Sequence, residues 1–389
     1  MITNKKIKLA FIPAVILLAA ILFFSWNAGL HGDGADSDAA SKNIVDAASS
    51  KPAAPKGLMA SGVGGKVVLT WGKVRSAAGY LVFQAEGKGL TKSEISKLKY
   101  KKAASTKNRK VILTGLKRGC DHHFYVIAQK KSGSKLISGK RSTIRSTTLP
   151  SSGQSTIKNL LRTGISPIGS TLYVWGGGWN KADNAAGRTA KRTGLYSAWR
   201  SFYSSHKKNY DYREHRYKIT KGLDCSGFVG GTVYNNMQTK NGKAGYVTWA
   251  VNQGKWFEKK GFGKYTSKSN VKSHKAGDIM TCSTHVWISA GETSDGSTVI
   301  LHASPPAVSL AGTPSSSGKK NSKAVKLARK YMKKYYGSLY KMYPSIVYRP
   351  ESYSTDYGRM RWNKKTFSDP EGYRKMSADK VLADLFSER

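Results

Sequence analysis

The stretch Gly222-Leu223-Asp224-Cys225-Ser226-Gly227-Phe228-Val229 places a thiol where a polar turn meets an apolar run. Phe228, Val229, Val233 and Met237 recur near helical spacing, so the run is predicted to form a helix with one buried face. A sulfur at that helix start meets the positive end of the macrodipole and several free N–H groups, which favour the thiolate. The bland reading is a buried structural cysteine, because free cysteine is among the most buried residue types. What the rest of the chain supplies decides between the two.

A cysteine nucleophile needs a base within reach and a third group to orient that base. Of the eight histidines, His285 and His302 stand in the right contexts. His285, Trp287 and Ser289 alternate on one face of a predicted strand; Ile300, His302 and Ser304 alternate on the next. Asp295-Gly296 between them is a hairpin signal. If Gly291 faces Thr298, paired residue numbers sum to 589 and His302 faces Trp287. His285 and His302 are then diagonal neighbours at about 7–8 Å. An even sum puts them on opposite faces and destroys the pairing. The favoured register gives a papain-like layout, with the nucleophile on a helix end and two histidines on adjacent strands.

Other reactive side chains read more plainly. Cys120, Cys225 and Cys282 form no disulfide framework and no CxxC. Cys282 is expected in the core or flank of the strand leading to His285. No known ligand spacing supports a zinc site from Cys225, Cys282 and the histidines, so no metal or other cofactor is expected. His206, His215 and His274 lie among polar and basic neighbours and read as solvated surface.

Sixty-six Lys and Arg against 22 Asp and Glu give a net charge of +44. Such a field suits polyanionic partners, among them anionic cell-wall polymers. No nucleic-acid motif accompanies it, so nucleic acid is not expected as a partner. Lys5, Lys6 and Lys8 precede an apolar run from Leu9 to Phe24, the pattern of an export signal. Residues 1–30 are therefore predicted to be a signal anchor or a cleaved signal peptide, placing the protein outside the cytoplasm, membrane-anchored or secreted to the wall. Residues 31–56 read as a flexible tether.

From 57 to 149 the pattern changes to short alternating strands, including Val67/Leu69/Trp71, Tyr80–Phe83, Val111–Leu113 and Phe124–Ile127. About 90 residues of this kind predict a β-sandwich. The stretch resembles a fibronectin type III domain in Pro55, Trp71, Tyr80, Leu116 to Gly119 and the Phe124/Val126/Ala128 strand. It departs where such domains carry a corner tyrosine: His122 stands there, and an imidazole can make the same backbone hydrogen bond. His122 and His123 point to opposite faces and are poor joint metal ligands. Residues 150–157 read as a linker and 158–389 as one α+β domain. Helices are predicted at 157–162, in Leu195–His206, over Lys323 to about Tyr336 and around Val381–Phe386, and a strand at Ile346-Val347-Tyr348.

Tyr173-x-Trp175-Gly176-Gly177, Asp224-Cys225-Ser226-Gly227, Gly277-Asp278, His285-Val286 and His302-Ala303-Ser304 together resemble the NlpC-family cysteine peptidases, over roughly residues 158–350. Those are papain-like enzymes that cut the stem peptides of bacterial peptidoglycan. The resemblance implies Cys225 as nucleophile, His285 as general base and His302 as its orienter. It also implies Tyr173 and Trp175 lining the site, Asp224 and Ser226 holding a substrate amino group, and the Cys225 amide in an oxyanion hole. Two departures stand out: a basic insertion at about 180–221, expected near the substrate groove, and an extension beyond about Tyr348. The expected architecture is thus multidomain, a fibronectin type III-like all-β sandwich followed by an α+β papain-like domain whose cysteine helix packs on an antiparallel sheet. The expected activity is cleavage of an amide bond in peptidoglycan stem peptides. An idle wall-binding protein, or an amidase or acyltransferase using the same residues, are the alternatives.

Overall fold

The computed structural model describes residues 51–63, 65–151, 154–179, 193–237 and 245–389. The predicted export segment, residues 31–50 of the tether and residues 180–192 of the insertion lie outside them. Among the described residues no helix is long and apolar enough to cross a membrane.

The first core is a sandwich built by period-2 alternation. Strands β1 (Met59–Val63) and β2 (Lys66–Thr70) open it, followed by β3 (Gly79–Glu86), the short helix α1 (Lys92–Lys97), β4 (Lys101–Thr106), β5 (Lys110–Leu113), β6 (Cys120–Ser132), β7 (Lys135–Arg141) and β8 (Arg145–Leu149). One sheet has the order β1-β2-β5 and the other β4-β3-β6-β7, with β8 pairing the first half of β6. Val67, Leu69, Trp71, Tyr80, Val82, Phe124 and Val126 fill the space between them. Trp71 meets Tyr80 edge-on at 5.5 Å, as aromatic quadrupoles prefer. At the corner His122 takes the tyrosine's part. Its Nε2 donates to the Lys117 carbonyl at 2.7 Å, and its Nδ1 accepts from Gln84 Nε2 at 3.0 Å. His123 bonds elsewhere, to Ser146 and the Gly87 carbonyl.

The second core begins with β9 (Ser155–Thr156) and α2 (Ile157–Ile165), whose cap Thr156 accepts from the Asn159 amide. It continues through α3 (Ser197–His206), α4 (Cys225–Met237), α5 (Ala250–Lys259), β10 (Gly263–Thr266), β11 (Ile279–Thr281), β12 (Val286–Glu292), β13 (Thr298–Ser304) and β14 (Ala307–Gly312). Helices α6 (Lys323–Tyr335), α7 (Gly337–Met342) and α8 (Ser352–Thr355), strands β15 (Gly358–Trp362) and β16 (Phe367–Ser368) and helix α9 (Ala378–Ser387) complete it. The main sheet is antiparallel in the order β10-β15-β11-β12-β13-β14. Its β15 comes from the carboxy-terminal extension, inserted between strands that precede it by some eighty residues or more. The extension is therefore part of the sheet.

Helix α4 packs on β12 and β13. It is buried on every side from Cys225 to Asn236, where the sequence predicted one buried face. Glycine makes this possible: a Cβ on Gly227 would lie 2.0 Å from the Gly177 carbonyl oxygen, and one on Gly230 would lie 2.8 Å from that of Tyr246. The strand expected at Ile346-Val347-Tyr348 is instead a 3-10 turn, Pro344–Val347. Proline at its start has no N–H for a ladder but fits a helical first turn. The described part of the insertion contributes Trp199, Phe202 and Tyr203 to the main core.

A buried polar network joins the two cores. Asn159 on α2 donates to the Thr148 carbonyl at 2.7 Å and accepts from the Thr148 amide at 3.0 Å. Arg162, one turn on, lies 3.6 Å from Asp121 of β6 and forms a bidentate pair with Glu388 beyond α9. Lys158 reaches Asp384 at 2.7 Å and Glu388 at 3.3 Å. Burial alone would discharge Arg162, but Glu388 and Asp121 outweigh it and hold the guanidinium charged.

Candidate active site

The hairpin β12–β13 sets the histidines. Near the turn, Gly291 pairs with Val299 and Glu292 with Thr298, both summing to 590, the even register that separates the histidines. A bulge at Ala290 removes the mismatch. Beyond it Ser289 pairs with Ile300 and Ile288 with Leu301, both summing to 589. One extra residue on β12 has shifted every later side chain to the other face. The expected register thus holds at the histidines, although the expected Gly291–Thr298 pair does not form. His285 Nε2 and His302 Nδ1 are 3.0 Å apart in a hydrogen bond, with ring centroids at 5.2 Å.

Trp287 and Ile300 of that face pack with Met280 and Tyr357, whereas Val286, Ile288 and Leu301 of the other belong to the core around α4. The imidazoles therefore do not meet the thiol across the sheet. The thiol meets the start of β12, where the Val286 amide, next to His285, directs its N–H toward the Cys225 sulfur. No hydrogen bond joins that sulfur to either ring among the described residues. Tyr173 is buried beside the thiol, and burial followed by the Cys225 and Asp224 charges pushes its phenol up. Trp175 is 47% exposed, and its carbonyl accepts from the Tyr217 amide.

Asp224 accepts four hydrogen bonds: from the Gly227 and Gly176 amides, from Ser226 Oγ and from Trp179 Nε1 at 2.7 Å. The Gly227 bond is a helix cap. With all its lone-pair directions occupied, the carboxylate has none left for a substrate ammonium, and Ser226 is buried with its hydroxyl turned inward to Asp224. The pair organises the turn around the thiol.

The electrostatics differ from the sequence expectation. Burial, followed by the Asp224 charge, raises the Cys225 thiol to about 12, overriding the Val286, Ser226 and Cys225 amides that favour the thiolate. Burial, assisted by Arg349, lowers His285 to about 3 and His302 well below its ordinary value. The resting pair is a neutral thiol and a neutral imidazole. Desolvation of a full charge outweighs the half-charge of a helix end.

Three neighbours escaped sequence reasoning, all from the extension. Tyr353 on α8 packs 5.4 Å from the His285 ring and 5.9 Å from that of His302. Tyr357 lies 6.4 Å from His285 and 5.8 Å from Trp287. Arg349, three residues before α8, is the cation whose charge acts on both histidines. Their only sequence signal was a tyrosine pair four residues apart, a spacing that shares one helix face.

The remaining histidines are corrected in part. His274 is buried, not solvated, with Nδ1 3.0 Å from Thr298 Oγ1 and 3.3 Å from Glu292. His206 and His215 are half-buried and pack against Phe202. Cys282 is half-buried, its amide donating to the His285 carbonyl at 2.9 Å. Among the described residues no three His, Cys, Asp or Glu side chains are grouped to hold a metal ion.

No family model matches the chain and no curated protein matches it. Solved structures similar to part of it include a Fn3-like protein from Clostridium thermocellum, 23% identical over 25% of this chain and 92% of that one, with a TM-score of 0.21. The FN5 domain of Drosophila Lar is 22% identical over 25% of this chain and 97% of its own, with a TM-score of 0.20. The twitchin kinase region from C. elegans is 18% identical over 26% of this chain, which spans 17% of it, with a TM-score of 0.21. The amino-terminal core is a fibronectin type III-like sandwich on its own strand order, and these likenesses do not bear on the second core.

Proposed function

We propose that the protein is an exported, papain-like cysteine hydrolase that cleaves an amide bond in the stem peptides of bacterial peptidoglycan. The observation that carries this reading is the His285–His302 hydrogen bond at 3.0 Å, set by a bulge, with the Cys225 thiol against the next residue, Val286. In the hydrogen bond the reading requires, His285 Nε2–H donates to His302 Nδ1 and leaves His285 Nδ1 as the base. The thiol proton passes to Nδ1 as the sulfur attacks the amide carbon. His285 then protonates the leaving amine as the C–N bond breaks, and water, deprotonated by His285, hydrolyses the thioester. The neutral resting pair fits a proton transfer made as the substrate arrives. The sandwich acts as a spacer or wall-contacting module, the +44 charge holds the protein to anionic wall polymers, and the amino-terminal segment tethers or exports it.

The test is digestion of purified peptidoglycan, with mass spectrometry of the released fragments. Cys225→Ala is expected to abolish release, and undiminished release refutes the reading. The neutral thiol favours one second reading, an idle wall-binding protein, for which wall binding persists and the wild type releases no fragment.

A further inference from the structure

Arg349 is a cation without an anion. Its amide is fixed by the Gly312 carbonyl at 3.0 Å at the end of β14, and its Nη1 donates to the Tyr348 carbonyl at 2.7 Å. Its Nε is buried with no partner. No carboxylate lies within ion-pair distance of it among the described residues. The groups around it are the phenols of Tyr353 and Tyr357 and the two histidines. A guanidinium withdrawn from water with carbonyl and phenol acceptors but no carboxylate opposite it is costly unless something completes it. Elsewhere in this chain buried arginines are completed from within: Arg162 by Glu388, and Arg361 by Asp278 through Nε at 2.8 Å. Arg359 and Arg374 also have an unpartnered Nε, but Arg349 is the one whose charge acts on His285 and His302.

We propose that Arg349 is the anion-recognition residue of the site, receiving a substrate carboxylate next to the amide that Cys225 attacks. This rests on Cys225 acting as the nucleophile. The planar fork of donors suits a carboxylate taken in two hydrogen bonds, and Nε–H is one of the two donors such a pair uses. Arg349 is half-buried as a residue with its Nε edge covered, so an anion reaches that edge by displacing what covers it. Tyr353 connects the two functions, its ring against both histidines and its hydroxyl facing the guanidinium. A bound carboxylate also offsets the positive field on His285 and so eases the proton transfer from the thiol.

The test uses one wall-type peptide that the protein cuts, made with the carboxylate nearest the cleaved bond either free or as the carboxamide. The wild type should prefer the free acid in kcat/KM by about thirtyfold or more, mainly through KM. Arg349→Gln should bring that ratio close to one, and Arg349→Lys should restore part of it. A wild-type ratio near one, with turnover lost in Cys225→Ala, overturns the proposal and leaves the nucleophile standing. An unchanged preference in a folded Arg349→Gln also overturns it. Turnover that survives Cys225→Ala overturns the nucleophile and the proposal together. The wild-type ratio needs no variant, so the test holds even where Arg349→Gln misfolds.

Discussion

Alkylation of Cys225 without substrate should be slow and steeply dependent on pH. With the thiol raised to about 12, the thiolate fraction at pH 7.5 is about 0.003%, against about 9% for a free cysteine of pKa 8.5. That deficit of about 3,000-fold is partly offset, because a more basic thiolate is the better nucleophile. With a Brønsted coefficient of about 0.45 over about 3.5 units, the offset is about 40-fold. The net expectation is a rate about 80-fold below that of an unstructured cysteine peptide, before any loss from limited access. The rate should climb about tenfold per pH unit from 7 to 9. Iodoacetamide quenched at intervals and read peptide by peptide separates Cys225 from Cys120 and Cys282 and gives the profile directly. A plateau below pH 7, or a rate above the peptide's, would mean a thiolate–imidazolium pair already at rest. Burial would then not govern the site, and the argument from desolvation would fail.

Two further outcomes follow from the same physics. On the proposed reading, in which His302 fixes the His285 tautomer, His302→Ala should lower kcat/KM on wall peptides by about 10²–10⁴-fold, with His302→Asn losing less. A loss below threefold would remove His302 from the site. Arg162→Met leaves Asp121 and Glu388 buried without their guanidinium and should cost about 3–5 kcal/mol in urea unfolding at pH 7. Burial raises Asp121 but Arg162 and Thr148 hold it below its ordinary value, so its contribution in the wild type is present above about pH 4 and lost as pH falls further. In the variant burial wins and the folded pKa rises, so stability should recover on going from pH 7 to pH 5. A variant that weakens monotonically with acid contradicts this.

Much of the site was legible because it is local. The helix start at Cys225 and the alternation around His285 and His302 are short-range patterns, and a period of two leaves only two registers to choose between. The sandwich was legible for the same reason, down to the imidazole at its corner. What escaped is non-local or energetic. Nothing in Ile346-Val347-Tyr348 shows that Pro344 begins a helical turn instead of a strand, and no periodicity shows that β15 inserts between β10 and β11. Arg349, Tyr353 and Tyr357 reach the histidines only through that insertion. His274 sits among polar neighbours in sequence but among Thr298, Glu292 and Trp287 in space. The protonation states were unreadable because they depend on burial, which no octapeptide reveals.

The bulge at Ala290 divides the β12–β13 hairpin into two segments of opposite phase. Between the turn and Gly291 the pairing answers to the loop; from Ser289 to the histidines it answers to the ladder beyond the bulge. Changes of length in the two places are therefore not equivalent. A residue gained or lost among Ser294–Gly296 alters the turn while the bulge holds the histidines in phase. A residue lost at position 290 cancels the phase correction and turns one histidine to the opposite side of the sheet. A change of length at the hairpin tip thus costs the Asp295 bonds to Lys323 and Ser316, whereas loss of the single unpaired residue on β12 costs the phase of the histidines.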